Sequence, residues 1–235
     1  MKHILIASTS TLHGGNYLDY LLDNLKTHFK NIDQIIFIPY ARPSGITHDQ
    51  YTNKVKAAFN SINKEIIGLH TFSNPKEALE NAQGIFVGGG NTFVLTKALY
   101  KFDLIKTIQE KVKNGTPYLG TSAGSNICGL TIGTTNDMPI VYPPSFKALS
   151  FVPFNINPHY LDPIVDSKHM GETRETRIKE FHKFNTQPVI GLREGSWLEV
   201  NGENICLKGN LQARIFEHNQ EPYEVDPNTY LNELK

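Results

Sequence analysis

The sequence has few cysteines, no long hydrophobic run and no excess of either charge. Its two cysteines, Cys128 and Cys206, make no disulfide framework and favour a reducing, cytoplasmic location. The 23 basic and 23 acidic side chains cancel, so nucleic acid is not an expected partner. No apolar run approaches membrane-spanning length, and the apolar start Ile4–Ala7 is too short for a signal peptide. We therefore expect no association with a membrane.

What the sequence does contain is a regular alternation of short apolar runs and helical patterns. With 39% hydrophobic residues, the 235-residue chain can bury a sizeable core, and we expect a single domain over residues 1–235. The alternation predicts an α/β fold with a mostly parallel central sheet and helices on both faces. The predicted strands are Ile4–Ala7, Ile35–Pro39, Lys64–Leu69, Gly84–Val87 and Tyr118–Leu119, and the predicted helices are Tyr17–Leu25, Asp49–Ser61, one starting at Asn74-Pro75, Phe93–Tyr100 and Leu104–Lys113.

After residue 131 the pattern becomes less regular. A helix is predicted over Thr173–Phe184, and Val189–Leu192 is predicted to be a strand of the main sheet. Asn201-Gly202 separates two strand-like runs, Trp197–Val200 and Ile205–Leu207, and is typical of a type I′ turn. We therefore expect a small C-terminal β-hairpin region.

The stretch Gly120-Thr121-Ser122-Ala123-Gly124 follows an apolar run and precedes a helix-compatible segment over Ala123–Leu130. This is the pattern of a nucleophile elbow, in which a strained turn exposes a serine hydroxyl at a helix N-terminus. Glycines on either side leave room for the turn. The alternative is a glycine-rich connection without a catalytic role.

A second glycine-rich loop, Gly88-Gly89-Gly90-Asn91, directly follows the predicted strand Gly84–Val87. Ligands of open α/β sheets bind beyond the carboxyl ends of strands, so this loop should lie beside Ser122 and supply amide donors to an oxyanion. A tight turn is the alternative, and the loop lacks the pattern of a phosphate site. His13-Gly14-Gly15, by contrast, is interpreted as a turn before the first helix.

The remaining groups of a hydrolytic site are harder to assign. His159 follows a short apolar segment and Pro158, a rigid mount suited to a general base, but it is one of nine histidines. Asp137, in a polar loop, and Glu194, at a strand end, are competing partners for the imidazole. The histidines and cysteines show no metal-ligand spacing, so neither a metal nor a cofactor is expected.

Several separate blocks of the sequence resemble the peptidase E family, the aspartyl dipeptidases grouped with cyanophycinase among serine peptidases. The similarity runs to about Trp197, and Thr121 departs from the tryptophan expected before the serine. The matching blocks are Gly88–Phe93, Ser122–Gly124, Thr134–Val141, Ile156–His159 and Gly171–Glu175.

This resemblance implies a class I glutamine-amidotransferase-like α/β sandwich and hydrolysis of dipeptides that begin with aspartate. It implies Ser122 as the nucleophile and His159 as the base, and we favour Glu194 over Asp137 as the third member. The oxyanion would be held by amides of Gly89 or Gly90 and of Ala123. The expected assembly is a monomer or a homodimer.

Recognition of an aspartate side chain requires a cation. Arg174 and Arg177 lie one helical turn apart and are the candidates, although Arg177 would equally suit a solvated helix face paired with Glu175 or Glu180. Three other functions remain open: a related serine hydrolase of cyanophycinase or esterase type, a binding protein of the same fold, and, least favoured, a cysteine hydrolase using Cys128.

Overall fold

A computed structural model of the protein describes residues 1–163 and 171–234. In chain order the strands are β1 (His3–Ala7), β2 (Gln34–Ile38), β3 (Glu65–Gly68), β4 (Gly84–Val87), β5 (Tyr118–Thr121), β6 (Asn155–Pro158), β7 (Val189–Leu192), β8 (Trp197–Asn201), β9 (Asn204–Lys208), β10 (Ala213–Phe216) and β11 (Tyr223–Val225). The α-helices are α1 (Leu22–His28), α2 (His48–Asn60), α3 (Pro75–Glu80), α4 (Thr92–Lys101), α5 (Ile105–Lys113), α6 (Ala123–Asn126) and α7 (Arg174–Phe181).

The main sheet has seven strands in the order β3-β2-β4-β5-β1-β8-β9. The first five run parallel, as predicted, and β8 and β9 complete the sheet in antiparallel orientation. Alternate residues of β1 enter different cores: Ile4 and Ile6 pack into one, and Leu5 and Ala7 into the other. Both faces of the sheet are therefore covered, which explains why its strands are continuous apolar runs.

A second sheet contains four strands in the order β11-β10-β7-β6. The prediction that Val189–Leu192 belongs to the main sheet is wrong, because this strand is β7 and pairs with β6 and β10. A buried apolar strand has the same sequence pattern in either sheet, so its pattern does not identify its partners. The position of β7 beside β6 matters for function, since His159 follows β6 and Glu194 follows β7.

The hairpin at Asn201-Gly202 is confirmed as β8–β9, with Asn201 opposite Asn204. Gly202 has a φ of 63°, the left-handed conformation that a type I′ turn requires. The hairpin is part of the main sheet, because β8 pairs along the full length of β1.

Helix starts follow the capping residues of the sequence. Asn74 caps α3, with Pro75 in its first turn, as predicted, and Thr47 forms a capping box with Gln50 at the start of α2. The helix after the elbow is shorter than predicted. It ends at Asn126, because the amides of Cys128 and Gly129 bond three residues back and tighten the chain away from α-helical geometry.

The first and last predicted helices also differ at their ends. The Tyr17–Leu25 segment forms a short 3₁₀ turn at Asp19–Leu21 before α1, and α7 ends at Phe181, three residues before the predicted end. Helix ends of this kind are set by local hydrogen bonds that the apolar pattern does not record.

Candidate active site

Ser122 lies in a strained turn between β5 and α6, at the carboxyl edge of the main sheet. Its φ of 56° and ψ of −111° are unfavourable for a residue with a side chain. A Cβ atom on Gly120 would lie 2.3 Å from the carbonyl oxygen of Gly124, and one on Gly124 would lie 2.2 Å from that of Val87. The two glycines are therefore required for the close approach of three backbone segments, the geometry expected of a nucleophile elbow.

His159 reaches Ser122 from the second sheet. It directly follows β6, and its Nε2 lies 2.8 Å from Ser122 Oγ, within hydrogen-bond distance. The other ring nitrogen, Nδ1, lies 2.5 Å from Oε1 of Glu194, which follows β7. A carboxylate can only accept, so Nδ1–H donates to Glu194 and Nε2 is left to accept the serine hydroxyl. This is the hydrogen-bonded chain by which a base activates a serine.

Asp137, the competing acid, has other partners. Its Oδ2 accepts a hydrogen bond from the backbone N–H of Thr92 at 2.7 Å and one from Thr135 Oγ1 at 3.1 Å. Thr92 is the first residue of α4, so the carboxylate lies at the positive end of that helix. The structure therefore brings Ser122, His159 and Glu194 together and gives Asp137 a different set of contacts.

A ladder of asparagine side chains fixes β6 against the segment that follows the elbow. Asn126 Nδ2 donates to the carbonyl of Ile156 at 2.6 Å, and Asn136 Nδ2 donates to that of Pro158 at 2.6 Å. Asn157 Nδ2 in turn donates to Asn136 Oδ1 at 2.7 Å. These bonds position β6, and with it His159, relative to the segment that carries Ser122. The sequence shows several asparagines in this region but does not indicate which backbone groups they meet.

The loop Gly88–Gly90 lies against the serine, as predicted. A Cβ atom on Gly89 would lie 2.9 Å from the Cβ of Ser122. The N–H of Gly89 donates to Tyr51 Oη at 3.0 Å, a contact that the sequence did not predict. Among residues 1–163 and 171–234, the N–H groups of Gly90 and Ala123 donate to no backbone carbonyl. Of the three predicted oxyanion donors, Gly89 thus donates to Tyr51, whereas the N–H groups of Gly90 and Ala123 have no backbone acceptor in the described part of the chain.

The two candidate arginines differ in their surroundings. Arg174, the first residue of α7, is half-buried and makes no ion pair with the described part of the chain. Burial and, to a lesser extent, the charge of Arg177 lower the pKa of Arg174, and the charge of Asp137 acts in the opposite direction. A guanidinium nevertheless stays charged in proteins. Arg177 is exposed, with its Nε 3.8 Å from Glu172 Oε2, and its partner is thus neither Glu175 nor Glu180.

Two further motifs have no place in the site. Cys128 is fully buried, and burial raises the pKa of its thiol far above the ordinary value, so it stays neutral and inaccessible. His13-Gly14-Gly15 forms the turn that was predicted, closed by a hydrogen bond from Gly15 N–H to Leu12 O at 2.9 Å.

Among the described residues, no three histidine, cysteine or acidic side chains are arranged to hold a metal ion. In the same residues no helix has the length and apolarity needed to span a membrane.

Comparison with known proteins identifies the family. The sequence profile of peptidase family S51 matches residues 4–208. The chain belongs to this family. A relative from Drosophila melanogaster, described as "Probable alpha-aspartyl dipeptidase", is 46% identical over 229 residues, covering 96% of this chain and 94% of the relative. "Peptidase E" of Streptomyces coelicolor is 44% identical over 232 residues, covering 99% and 94%.

Solved structures of peptidases share the fold. The crystal structure of a peptidase from an acI-B1 Actinobacterium superposes with a TM-score of 0.74 at 16% identity, covering 98% of this chain and 96% of that chain. That peptidase therefore shares the fold described above, and the predicted α/β class, a mostly parallel sheet with helices, is confirmed.

Proposed function

We propose that this S51 protein is a serine peptidase that hydrolyses dipeptides with an N-terminal aspartate. The observation that carries the proposal is the continuous chain Ser122–His159–Glu194, with hydrogen-bond distances of 2.8 and 2.5 Å. Two relatives more than 40% identical over nearly the whole chain are named "Probable alpha-aspartyl dipeptidase" and "Peptidase E", and the first of these names supports the choice of substrate.

The proposed mechanism follows from these contacts. His159 Nε2 takes the proton of Ser122 Oγ as the oxygen attacks the peptide carbonyl, and Glu194 stabilises the imidazolium that forms. The amides of Gly90 and Ala123 hold the developing oxyanion. The imidazolium then protonates the leaving amine, which releases the C-terminal amino acid. Water attacks the acyl-enzyme, with His159 acting as base again.

Substrate selection is assigned to Arg174. Its guanidinium is half-buried and carries no carboxylate from the described residues, so a substrate aspartate would supply the missing partner. Asp137, bonded to Thr92, is proposed to support the site by fixing the start of α4 and by lying in the field of Arg174. The exposed Arg177 is proposed to have no direct part in binding.

A dipeptide panel tests the function. Purified protein is assayed with Asp-Leu, Glu-Leu, Asn-Leu and Ala-Leu, with Ser122→Ala as the control. We expect hydrolysis of Asp-Leu well above the other three and none above background in Ser122→Ala. Equal rates on Asp-Leu and Ala-Leu would favour a broader hydrolase.

The non-catalytic alternative is tested by covalent labelling. A fluorophosphonate should label wild-type protein at Ser122 and should leave Ser122→Ala unlabelled. Absence of labelling in the wild type, or equal labelling in both proteins, would favour a binding protein of the same fold.

A further inference from the structure

Ser8 is a fully buried serine directly after β1, and neither the mechanism nor the sequence motifs include it. Its hydroxyl makes two hydrogen bonds. It accepts from the backbone N–H of His159 at 2.9 Å and donates to the carbonyl of Leu192 at 2.6 Å. One side chain from the main sheet thus bonds both segments of the second sheet that carry site residues.

The backbone of residues 7 and 8 also contacts the segment that carries Ser122 and the turn that follows Glu194. The carbonyl of Ala7 accepts the N–H of Ser122 at 3.2 Å, and the N–H of Ser8 donates to the carbonyl of Ser196 at 3.1 Å. Ser196 N–H bonds back to Arg193 O at 3.1 Å, which closes the turn that presents Glu194. Residues 7 and 8 therefore form hydrogen bonds to the backbone at Ser122, at His159 and on both sides of Glu194.

The bond to His159 acts on a strained residue. His159 has a φ of 54°, in the left-handed region that a residue with a Cβ seldom adopts. Such a conformation persists only where surrounding contacts impose it. The Ser8 hydroxyl supplies a contact at the amide of this residue, next to the bond that defines φ. Rotation of that backbone would swing the imidazole away from Ser122, from Glu194, or from both.

Other contacts hold these segments but do not replace Ser8. Tyr160 N–H also donates to Leu192 O, at 3.1 Å, and so joins the two strand ends one residue beyond His159. The guanidinium of Arg193 donates two hydrogen bonds to Asp162 and two to Glu224, at 2.6 to 3.0 Å. We therefore expect the second sheet to keep its pairing when the Ser8 hydroxyl is removed, while the bond at His159 itself is lost.

We propose that Ser8 is a positioning residue that sets the imidazole of His159 between Ser122 and Glu194. It touches no substrate atom and acts through the backbone of His159. The inference rests on the proposed roles of Ser122 and His159, but it does not depend on which acyl substrate the enzyme takes.

The test compares Ser8→Ala with wild type on Asp-Leu and on a neutral acyl ester. Rates are expressed per serine titrated with a fluorophosphonate, so that unfolded molecules are not counted. A misplacement of about 1 Å typically costs about 100-fold in rate, and we expect kcat to fall about 10- to 100-fold on both substrates, with KM within about twofold. The rate constant for phosphonylation of Ser122 should fall in parallel.

Two further variants separate positioning from a general structural role. Ser8→Thr keeps the hydroxyl and, unlike Ser8→Ala, should retain at least a third of the wild-type kcat. Thr52→Val removes another buried hydroxyl, one that donates to His48 O at 2.8 Å within α2, and should leave kcat unchanged. If Ser8→Ala does not accumulate as folded protein, Ser8→Cys takes its place and should show the same loss of kcat, because its larger sulfur is a weak acceptor for the N–H of His159.

The outcomes are distinct. A Ser8→Ala protein with wild-type kcat per titrated serine, or one whose loss lies entirely in KM, would overturn the inference. A loss matched by Thr52→Val would also overturn it, since it would reflect loosening of the whole fold. If wild type cleaves the ester but not Asp-Leu, the dipeptidase proposal fails, and the effect of Ser8→Ala on the ester still decides the role of Ser8.

Discussion

The carboxylate of Asp137 accepts the backbone N–H of Thr92 at 2.7 Å, at the first residue of α4, while Glu194 lies 2.5 Å from the imidazole of His159. Two acids that the sequence leaves as alternatives thus have separate surroundings. One is bonded to a helix start and the other to the candidate base, and this difference leads to opposite expectations for their removal.

Glu194→Gln should lower kcat by about 10³-fold or more, because the imidazole loses the group that orients it and stabilises its positive charge. Asp137→Asn should retain most of kcat. It should instead lower the free energy of unfolding by about 1 kcal/mol, since the start of α4 loses a charged acceptor. Steady-state kinetics and urea unfolding measure the two effects. A larger kcat loss in Asp137→Asn than in Glu194→Gln would return Asp137 to the position of triad acid.

Arg174→Ala should lower kcat/KM for Asp-Leu by about 100-fold, the usual effect of leaving a substrate charge without its partner. Hydrolysis of a neutral acyl ester should change by less than about threefold, because the triad is untouched. Arg177→Ala is the matched control, one turn further along α7, and should change neither substrate by more than about threefold. Equal losses on both substrates in Arg174→Ala would count against a role in aspartate recognition.

Gly90→Ala should distort the loop that we propose to hold the oxyanion. Its φ is 146°, and a Cβ atom would lie 2.2 Å from the carbonyl oxygen of Ala41. We expect a loss of about 2–4 kcal/mol in the free energy of unfolding and a fall in kcat. Gly14→Ala is the control, since Gly14 also has a positive φ, 76°, but has open space around it. That variant should lose only about 1 kcal/mol and keep its activity. Similar behaviour of the two variants would show that backbone conformation alone accounts for the effect.

Alkylation tests the position of Cys128. Burial raises the pKa of this thiol, so iodoacetamide should neither modify Cys128 in the folded protein nor inhibit the enzyme. Cys128→Ala should keep wild-type kcat and lose about 1 kcal/mol of stability through lost packing. Mass spectrometry of the alkylated protein and kinetics of the variant provide the measurements. Inactivation that tracks modification of Cys128 would reopen the cysteine hydrolase hypothesis.

The parts of the structure that the sequence predicts are those with a local cause. The apolar strands of the main sheet, the cap at Asn74, the turn at Asn201-Gly202 and the elbow around Ser122 each depend on residues within a few positions of one another. Steric and hydrogen-bonding rules for such short stretches can be applied without knowing the tertiary fold. The same local reasoning placed Glu194 and His159 at strand ends.

What the sequence does not predict depends on partners distant in the chain. The assignment of β7 to the second sheet follows from its pairing with β6, which sequence periodicity does not encode. The bonds of Tyr51 to Gly89 and of Ser8 to His159 join residues 38 and 151 positions apart. A lone buried hydroxyl carries no motif, so its role becomes visible only when the fold supplies its partner. The contacts that separate Asp137 from Glu194 are of the same kind, because Asp137 binds the N–H of Thr92 and Glu194 binds His159.

Acid stability should depend on His28. This side chain lies on α1 and donates from Nε2 to the carbonyl of Tyr118 in β5 at 3.1 Å. Burial lowers the pKa of His28 from its ordinary 6.5 to about 4. The unfolded chain therefore takes up a proton below about pH 6.5, whereas the folded protein resists protonation until about pH 4. Stability from this residue is complete above pH 6.5 and declines as the pH falls toward 4, by roughly 2 kcal/mol between pH 7 and pH 4.5.

His28→Gln removes the titrating group, so this variant should lose less stability than wild type between pH 7 and pH 4.5. Urea unfolding at both pH values gives the two differences, and their comparison cancels any constant loss caused by the altered hydrogen bond to Tyr118. His13→Gln, at an exposed turn, should behave as wild type in the same comparison. If His28→Gln and wild type decline equally, the acid sensitivity lies in other groups, and His28 takes up its proton in the folded protein as readily as in the unfolded chain.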